Sequence, residues 1–223
     1  MDYLASREAG FTWNYDRAEI IADGVVHAIG VSLGFVGAIA IVFAASNSAQ
    51  SHFGPLFVYV TGLLAMLGLS ATYNMWPVSG AKWLLRRFDH SAIYVLIAGT
   101  YTPFLAQMKV GLASAGLNIG IWSVAAFGVV LKLLLPGRFE RLAIVLYLLL
   151  GWSGVIAYDA AVSALPSASL WLIAAGGALY SLGLVFHVWQ RLRFQNAIWH
   201  AFVLLAAVCH YIAVVNSVGL LRV

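Results

Sequence analysis

Seven long apolar stretches, near residues 25–46, 54–75, 90–107, 114–134, 141–161, 168–189 and 197–219, dominate this chain. A hydrocarbon core about 30 Å thick is crossed by about 20 apolar helical residues, so each stretch has roughly the length of one crossing. Backbone amides in lipid must find partners within the segment, which leaves helices or closed barrels. The runs are continuous rather than alternating in polarity, which argues against a barrel. The expected fold is therefore all-α, a polytopic seven-transmembrane helix bundle over residues 25–223 behind a short segment, 1–24. Only 9% of the 223 residues are charged, against roughly 25% in soluble domains. The spans leave no room for a separate soluble domain.

The basic residues fix an expected orientation. Arg7, Arg17, Lys82, Arg86, Arg87, Lys132, Arg138, Arg141, Arg191 and Arg193 fall on one side of the alternating spans, and Lys109 and Arg222 on the other. The positive-inside rule then puts the amino terminus in the cytoplasm and the carboxyl terminus outside, in a cell (inner) membrane. The net charge of +4 follows from this asymmetry and calls for no nucleic-acid partner; the expected partners are membrane lipids. Asp2, Glu8, Asp16, Glu19 and Asp23 make the first 24 residues unlike a positively charged secretory leader. Trp13, Ile20 and Ile21 could seat a short surface helix. Cys209 is the single cysteine, so the chain holds no internal disulfide.

Prolines 55, 77, 136 and 166 sit at expected helix ends, whereas Pro103 lies inside the third span. There it removes a backbone hydrogen bond, with Thr100 or Thr102 available to re-satisfy the freed groups. Gly30/Gly34 and Gly116/Gly120 have the spacing of close helix contacts.

Polar residues inside the spans gather at one end. Residues four apart share a helix face, which groups Glu19, Asp23 and His27, then Ser70 with Asn74, then Asn196 with His200. Asp89 and His90 stand at the expected start of the third span. With alternating directions, all of these lie in the cytoplasmic half, and convergence of several helices on one polar pocket is how bundles build ligand and metal sites. Plainer roles compete: Asp23 and Asp89 as helix N-caps, and Asn74 as a hydrogen-bonding link between helices. His210 reads as an interhelical donor, His187 as a neighbour at the inner end of span six, and His52 and Asp159 as remote.

Three segments carry a family resemblance. Asp89-His90-Ser91-Ala92-Ile93-Tyr94, continuing to Ala98-Gly99-Thr100-Tyr101-Thr102-Pro103-Phe104, is similar to the third span of the hemolysin III proteins, bacterial relatives of the progestin and adipoQ receptors. Asn196-Ala197-Ile198-Trp199-His200-Ala201-Phe202-Val203 resembles the start of that family's seventh span. Glu19, Asp23 and His27 resemble its amino-terminal Glu, Asn and His pattern, with Asp in place of Asn.

The resemblance implies a zinc near the cytoplasmic face. In the wider superfamily, which includes alkaline ceramidases, the ligands are three histidines, one in Ser-x-x-x-His of span two and two in His-x-x-x-His of span seven. An aspartate in span three helps hold or activate a water. Here Ser70, Asp89 and His200 match, while Asn74 and Asn196 occupy two of the histidine positions. The expected site therefore has His200 and Asp89 as metal residues, Asp89 and Ser70 as the catalytic pair, and His27, Asn74 and Asn196 lining the pocket. Amides are poor zinc donors, so metal binding needs a substitute from His27, His90 or His187. Three functions stay open: metal-dependent hydrolysis of a lipid amide or ester, a non-catalytic receptor-like pocket, and a membrane-disrupting cytolysin.

Overall fold

The structure, a computed structural model, describes residues 15–47, 53–109 and 111–220. Among these the chain is all helical and forms seven rods. They are α1 (Arg17–Ser46), α2 (Phe53–Met75), α3 (Gly80–Gln107), α4 (Leu112–Leu134), a two-part rod of α5 (Glu140–Trp152) and α6 (Tyr158–Ala164), α7 (Ser167–Val188) and α8 (Gln195–Ser217). Six of the rods are long and apolar enough to cross a membrane. The exception is α3.

α3 is the innermost rod, packed against α2, α4 and α8. A helix enclosed by protein needs no continuous apolar coat, which explains why it is the least hydrophobic of the seven. It also starts ten residues before the expected span, because Ser79 caps it by accepting from the Lys82 amide. Residues 82–89, which on sequence read as a loop, are about two helical turns that bury Lys82, Arg86 and Asp89 and expose Leu84 and Phe88. Lys82, Arg86 and Asp89 share one face, at steps of four and three. Asp89 is thus not an N-cap. Nor is Asp23, since α1 is capped by Asp16 in a capping box with Glu19. Residues 17–24 accordingly belong to the first rod; Trp13 and His52 lie outside the described residues.

One stripe of α1 is buried: Asp23, His27, Gly30, Gly34, Ala38 and Ile41. The opposite side exposes Phe35, Val36, Ile39 and Phe43, a face that suits lipid. α2 and α3 run antiparallel and come into tight backbone contact at two glycines. A Cβ on Gly62 would lie 3.3 Å from the Val95 carbonyl oxygen, and one on Gly99 3.3 Å from that of Val58. Gly30 faces Leu67 and Leu204, and Gly34 faces Leu67 and Leu64. The Gly116/Gly120 expectation fails, because both look into open space.

Two breaks carry polar repairs. At Pro103 the Thr100 and Thr102 hydroxyls donate to the Leu96 and Ala98 carbonyls at 2.8 and 2.9 Å. They support the flanking turns rather than the Gly99 carbonyl that the proline leaves without its usual donor. In the fifth rod a 3₁₀ segment, Ser153–Ala157, separates α5 from α6. Tyr101 of α3 inserts there, its hydroxyl donating to the Gly151 carbonyl and accepting from the Gly154 amide, both at 2.8 Å. A side chain entering the helical ladder is a recognised cause of a break.

The α2–α3 contact makes a direct prediction. Gly99→Leu pushes a side chain against the Val58 backbone and should destabilise the protein by about 1–3 kcal/mol. Gly120→Leu should leave the thermal unfolding midpoint of the detergent-solubilised protein unchanged, and equal melting of the two variants would contradict the packing described.

Candidate functional site

Four rods deliver polar side chains to one level of the bundle, at the end that also carries most of the basic residues. α1 supplies Asp23 and His27, one turn apart. α2 supplies Ser70 and Asn74 from its last two turns, α3 supplies Asp89 and His90, and α8 supplies Asn196 and His200 from its first two.

Asp23 is the hub. Its Oδ1 lies 2.6 Å from His200 Nδ1, and its Oδ2 accepts from Asn196 Nδ2 at 2.8 Å. His27 Nε2 stands 3.6 Å from the same Oδ2, and the His27 and His200 ring centroids are 4.4 Å apart. Asn196 Nδ2 also donates to Asn74 Oδ1 at 3.0 Å, and Asn74 Nδ2 donates to the Ser70 carbonyl at 2.9 Å. One chain of contacts therefore joins α1, α8 and α2. Ser70 continues it to α3, its hydroxyl meeting the Asp89 carboxyl, which lies 3.4 Å from His90 Nδ1.

The ends of these helices are tied down as well. Phe194, at φ 59°, turns the chain into α8, and its amide donates to Glu19 Oε1 at 3.0 Å. Arg193 pairs with Asp16 at 3.3 Å; the Glu19 amide, seconded by Arg193, holds the Asp16 carboxyl below the usual carboxylate range. Lys82 Nζ donates to the Asn74 and Trp76 carbonyls at 3.1 and 2.8 Å, capping the carboxyl end of α2. Glu140, at the head of α5, bridges Arg86 at 3.1 Å and Lys132 at 2.7 Å.

A cavity of about 430 Å³ opens beside this cluster and reaches into the bundle. Asp23, Asn74, Asp89, Asn196 and His200 all border it, as do His90, His187 and His210. His27 and Ser70 do not; they lie behind His200 around a separate void of about 20 Å³. His210 points across to the Ile173 carbonyl at 3.2 Å, an interhelical contact as expected. Asp159 is exposed on α6, well away.

The sequence-predicted residues thus assemble, with one shift of emphasis. Asp23, His27 and His200 place potential ligand atoms within 4.8 Å of one another, a group to which Asp89 does not belong. The four-residue spacing of Asp23 and His27 was the signal for this. What spacing could not show is that α8 docks on α1 so that both residues face His200.

The donor set fits a divalent metal. Two imidazoles and one carboxylate are a common catalytic zinc set, and around a tetrahedral zinc such ligands stand about 3.4 Å apart; the 3.6 Å between His27 and Asp23 is close to that, whereas the 2.6 Å between His200 and Asp23 is a hydrogen bond. His27 Nε2 is buried with no hydrogen-bond partner, and the adjoining void of about 20 Å³ exceeds the roughly 10–15 Å³ that one water needs. The three-histidine arrangement implied by the resemblance does not fit, because two of its positions are Asn74 and Asn196, which bond to each other.

The family model described as "Haemolysin-III related" matches residues 18–211. The chain belongs to that family. It is 37% identical over 187 residues to the Hemolysin-3 homolog of Bacillus subtilis (strain 168), covering 83% of this chain and 88% of that one. It is 34% identical over 187 residues to Hemolysin-3 of Bacillus cereus, covering 83% and 85%. The human Monocyte to macrophage differentiation factor is 31% identical over 166 residues, covering 71% and 68%. This is a membrane protein of the hemolysin III type with relatives among the progestin and adipoQ receptor-like proteins.

Asp23 organises the cluster, so its removal should be costly. Asp23→Ala leaves buried donors on His200 and Asn196 short of an acceptor and should destabilise the protein by about 1–3 kcal/mol. Asp159→Ala should melt like the wild type in the same detergent, and an Asp23→Ala protein that did so too would remove Asp23 from its central place.

Proposed function

We propose that this protein is a seven-span membrane hydrolase whose site faces the cytoplasm and holds one divalent metal, most naturally zinc, on Asp23, His27 and His200. The single observation that carries the reading is that group of three donors within 4.8 Å, two of which, Asp23 and His200, border a cavity of about 430 Å³. α3 completes the count of seven: at 28 residues its length is about 42 Å, ample for a crossing. Orientation follows from the basic end being the cytoplasmic one.

When bound, the metal would supply Lewis-acid chemistry, polarising a carbonyl and lowering the pKa of a water. The chain supplies the rest. Asp23 fixes the His200 ring through the contact at Nδ1, and Asn196 steadies Asp23 in turn. Asp89, with Ser70 and His90 against it, is the carboxylate placed to accept a proton at an oxygen facing the cavity. The apolar walls seat an acyl chain and exclude water, so the substrate class is a lipid amide or ester.

A second reading has its own support. Asn74 and Asn196, at positions where the resemblance implies histidines, bond directly to each other at 3.0 Å. That closed amide pair favours a receptor-like pocket which binds a lipid without cleaving it.

Metal analysis separates the two. Protein purified without chelators from zinc-replete cells should carry about one zinc per chain, His27→Ala should lose most of it, and Asp89→Asn should keep the metal while losing hydrolysis. Wild type free of metal but still binding lipid would leave the receptor reading. For orientation, alkaline phosphatase fused after residue 223 should be active in the periplasm, and an inactive fusion would reverse the assignment.

A further inference from the structure

The cavity runs deep. Its lining residues farthest from the level of Asp23 are Tyr101 on α3, Trp152 on α5, Gly177 on α7 and His210 on α8. His200 and His210 both lie on α8, about 15 Å apart along its axis. That depth is well inside a hydrocarbon core about 30 Å thick. Between the two ends Ile97, Ile144, Leu148 and Leu184 line the wall.

Most polar groups at the far end are paired. Thr100 donates to the Leu96 carbonyl, Tyr101 bonds Gly151 and Gly154, and Trp152 donates to Ser181. Two groups are left over. His210 meets the Ile173 carbonyl through Nε2; a carbonyl only accepts, so the proton is on Nε2 and Nδ1 is a bare acceptor. A Cβ on Gly176 would collide with this ring, so the glycine lets it lie close against α7. Among the described residues neither Nδ1 nor the Tyr180 hydroxyl has a hydrogen-bond partner. Neither atom is sealed by protein, and both residues border the cavity. Their ring centroids are 5.5 Å apart, a distance that one ligand oxygen can bridge. A polar group unpaired at this depth is costly.

An acceptor beside a donor is the complement of an alcohol, which donates its hydrogen to Nδ1 and accepts from the tyrosine. We propose that the far end of the cavity is a hydroxyl subsite for a single-chain lipid whose head lies near Asp23 and His200. An extended chain gains about 1.2 Å per bond, so a reach of about 15 Å puts the recognised hydroxyl roughly twelve bonds from the head. The assignment rests on the cavity being a lipid site, as both readings above hold, and concerns binding alone.

The test uses the full-length protein in phosphatidylcholine nanodiscs, with retained ligand measured by native mass spectrometry. The probes are 1-O-octadecylglycerol and its 12-hydroxy and 2-hydroxy derivatives on the octadecyl chain. An ether offers no bond to the proposed hydrolysis, so the result stands apart from metal content and turnover. The 12-hydroxy ether should be retained about tenfold over each of the other two. Tyr180→Phe removes only an oxygen and should cut that preference to about threefold or less, and His210→Phe should do the same. Thermal melts check that the variants fold; should His210→Phe not fold, Tyr180→Phe and the positional pair decide. Equal retention of the 12-hydroxy and unsubstituted ethers would overturn the assignment and leave the two groups to water. Equal retention of the two hydroxylated isomers, or an unchanged preference in folded Tyr180→Phe, would overturn it as well.

Discussion

A carboxylate inside a membrane bundle needs donors on every side, and Asp23 has them. Its two oxygens meet an imidazole and an amide from α8 and face a second imidazole from α1. Ionisable groups at membrane depth are expensive and mark functional sites. Here that expense is met by joining the first and last rods, with α2 linked through the Asn74–Asn196 contact. The position of α8, and the shape of the cavity beside it, depend on this arrangement.

Much of the fold is legible in the sequence because lipid imposes a simple rule on it. Six rods announce themselves as apolar stretches of the right length, with helix ends near the prolines. α3 obeys a different rule. Being surrounded by protein, it carries Lys82, Arg86, Arg87 and Asp89 in helical turns that hydropathy reads as a loop, and so its start falls ten residues early. The interruption between α5 and α6 is similarly hidden, since its cause is a tyrosine hydroxyl on another helix. Gly116 and Gly120 show the converse error: a contact motif is only spacing until a partner helix lies opposite.

The site is legible to the extent that it depends on helical periodicity. Asp23 with His27, Ser70 with Asn74, and Asn196 with His200 each follow from four-residue spacing, and alternating directions bring the pairs to one level. Rotation of the rods about their axes is not encoded that way. It decides that Asp23, read equally well as an N-cap, sits at the centre, while Asp89 stands one shell away beside Ser70. The paired amides gain meaning from the same rotation: as isolated residues they look like lost ligands, whereas side by side they form a closed contact that steadies the neighbouring carboxylate.

The link between Asp23 and Asn196 crosses 173 residues of chain, and this bears on biogenesis. Synthesis delivers α1 to the bilayer first and α8 last, so the aspartate enters the membrane with His27 of its own helix beside it and long before its α8 partners exist. Until then it must be protonated, sheltered by the insertion machinery, or held near the headgroups. A nascent chain truncated before α8 would display an unmatched acid within lipid, a mark by which membrane quality control can tell unfinished copies from complete ones.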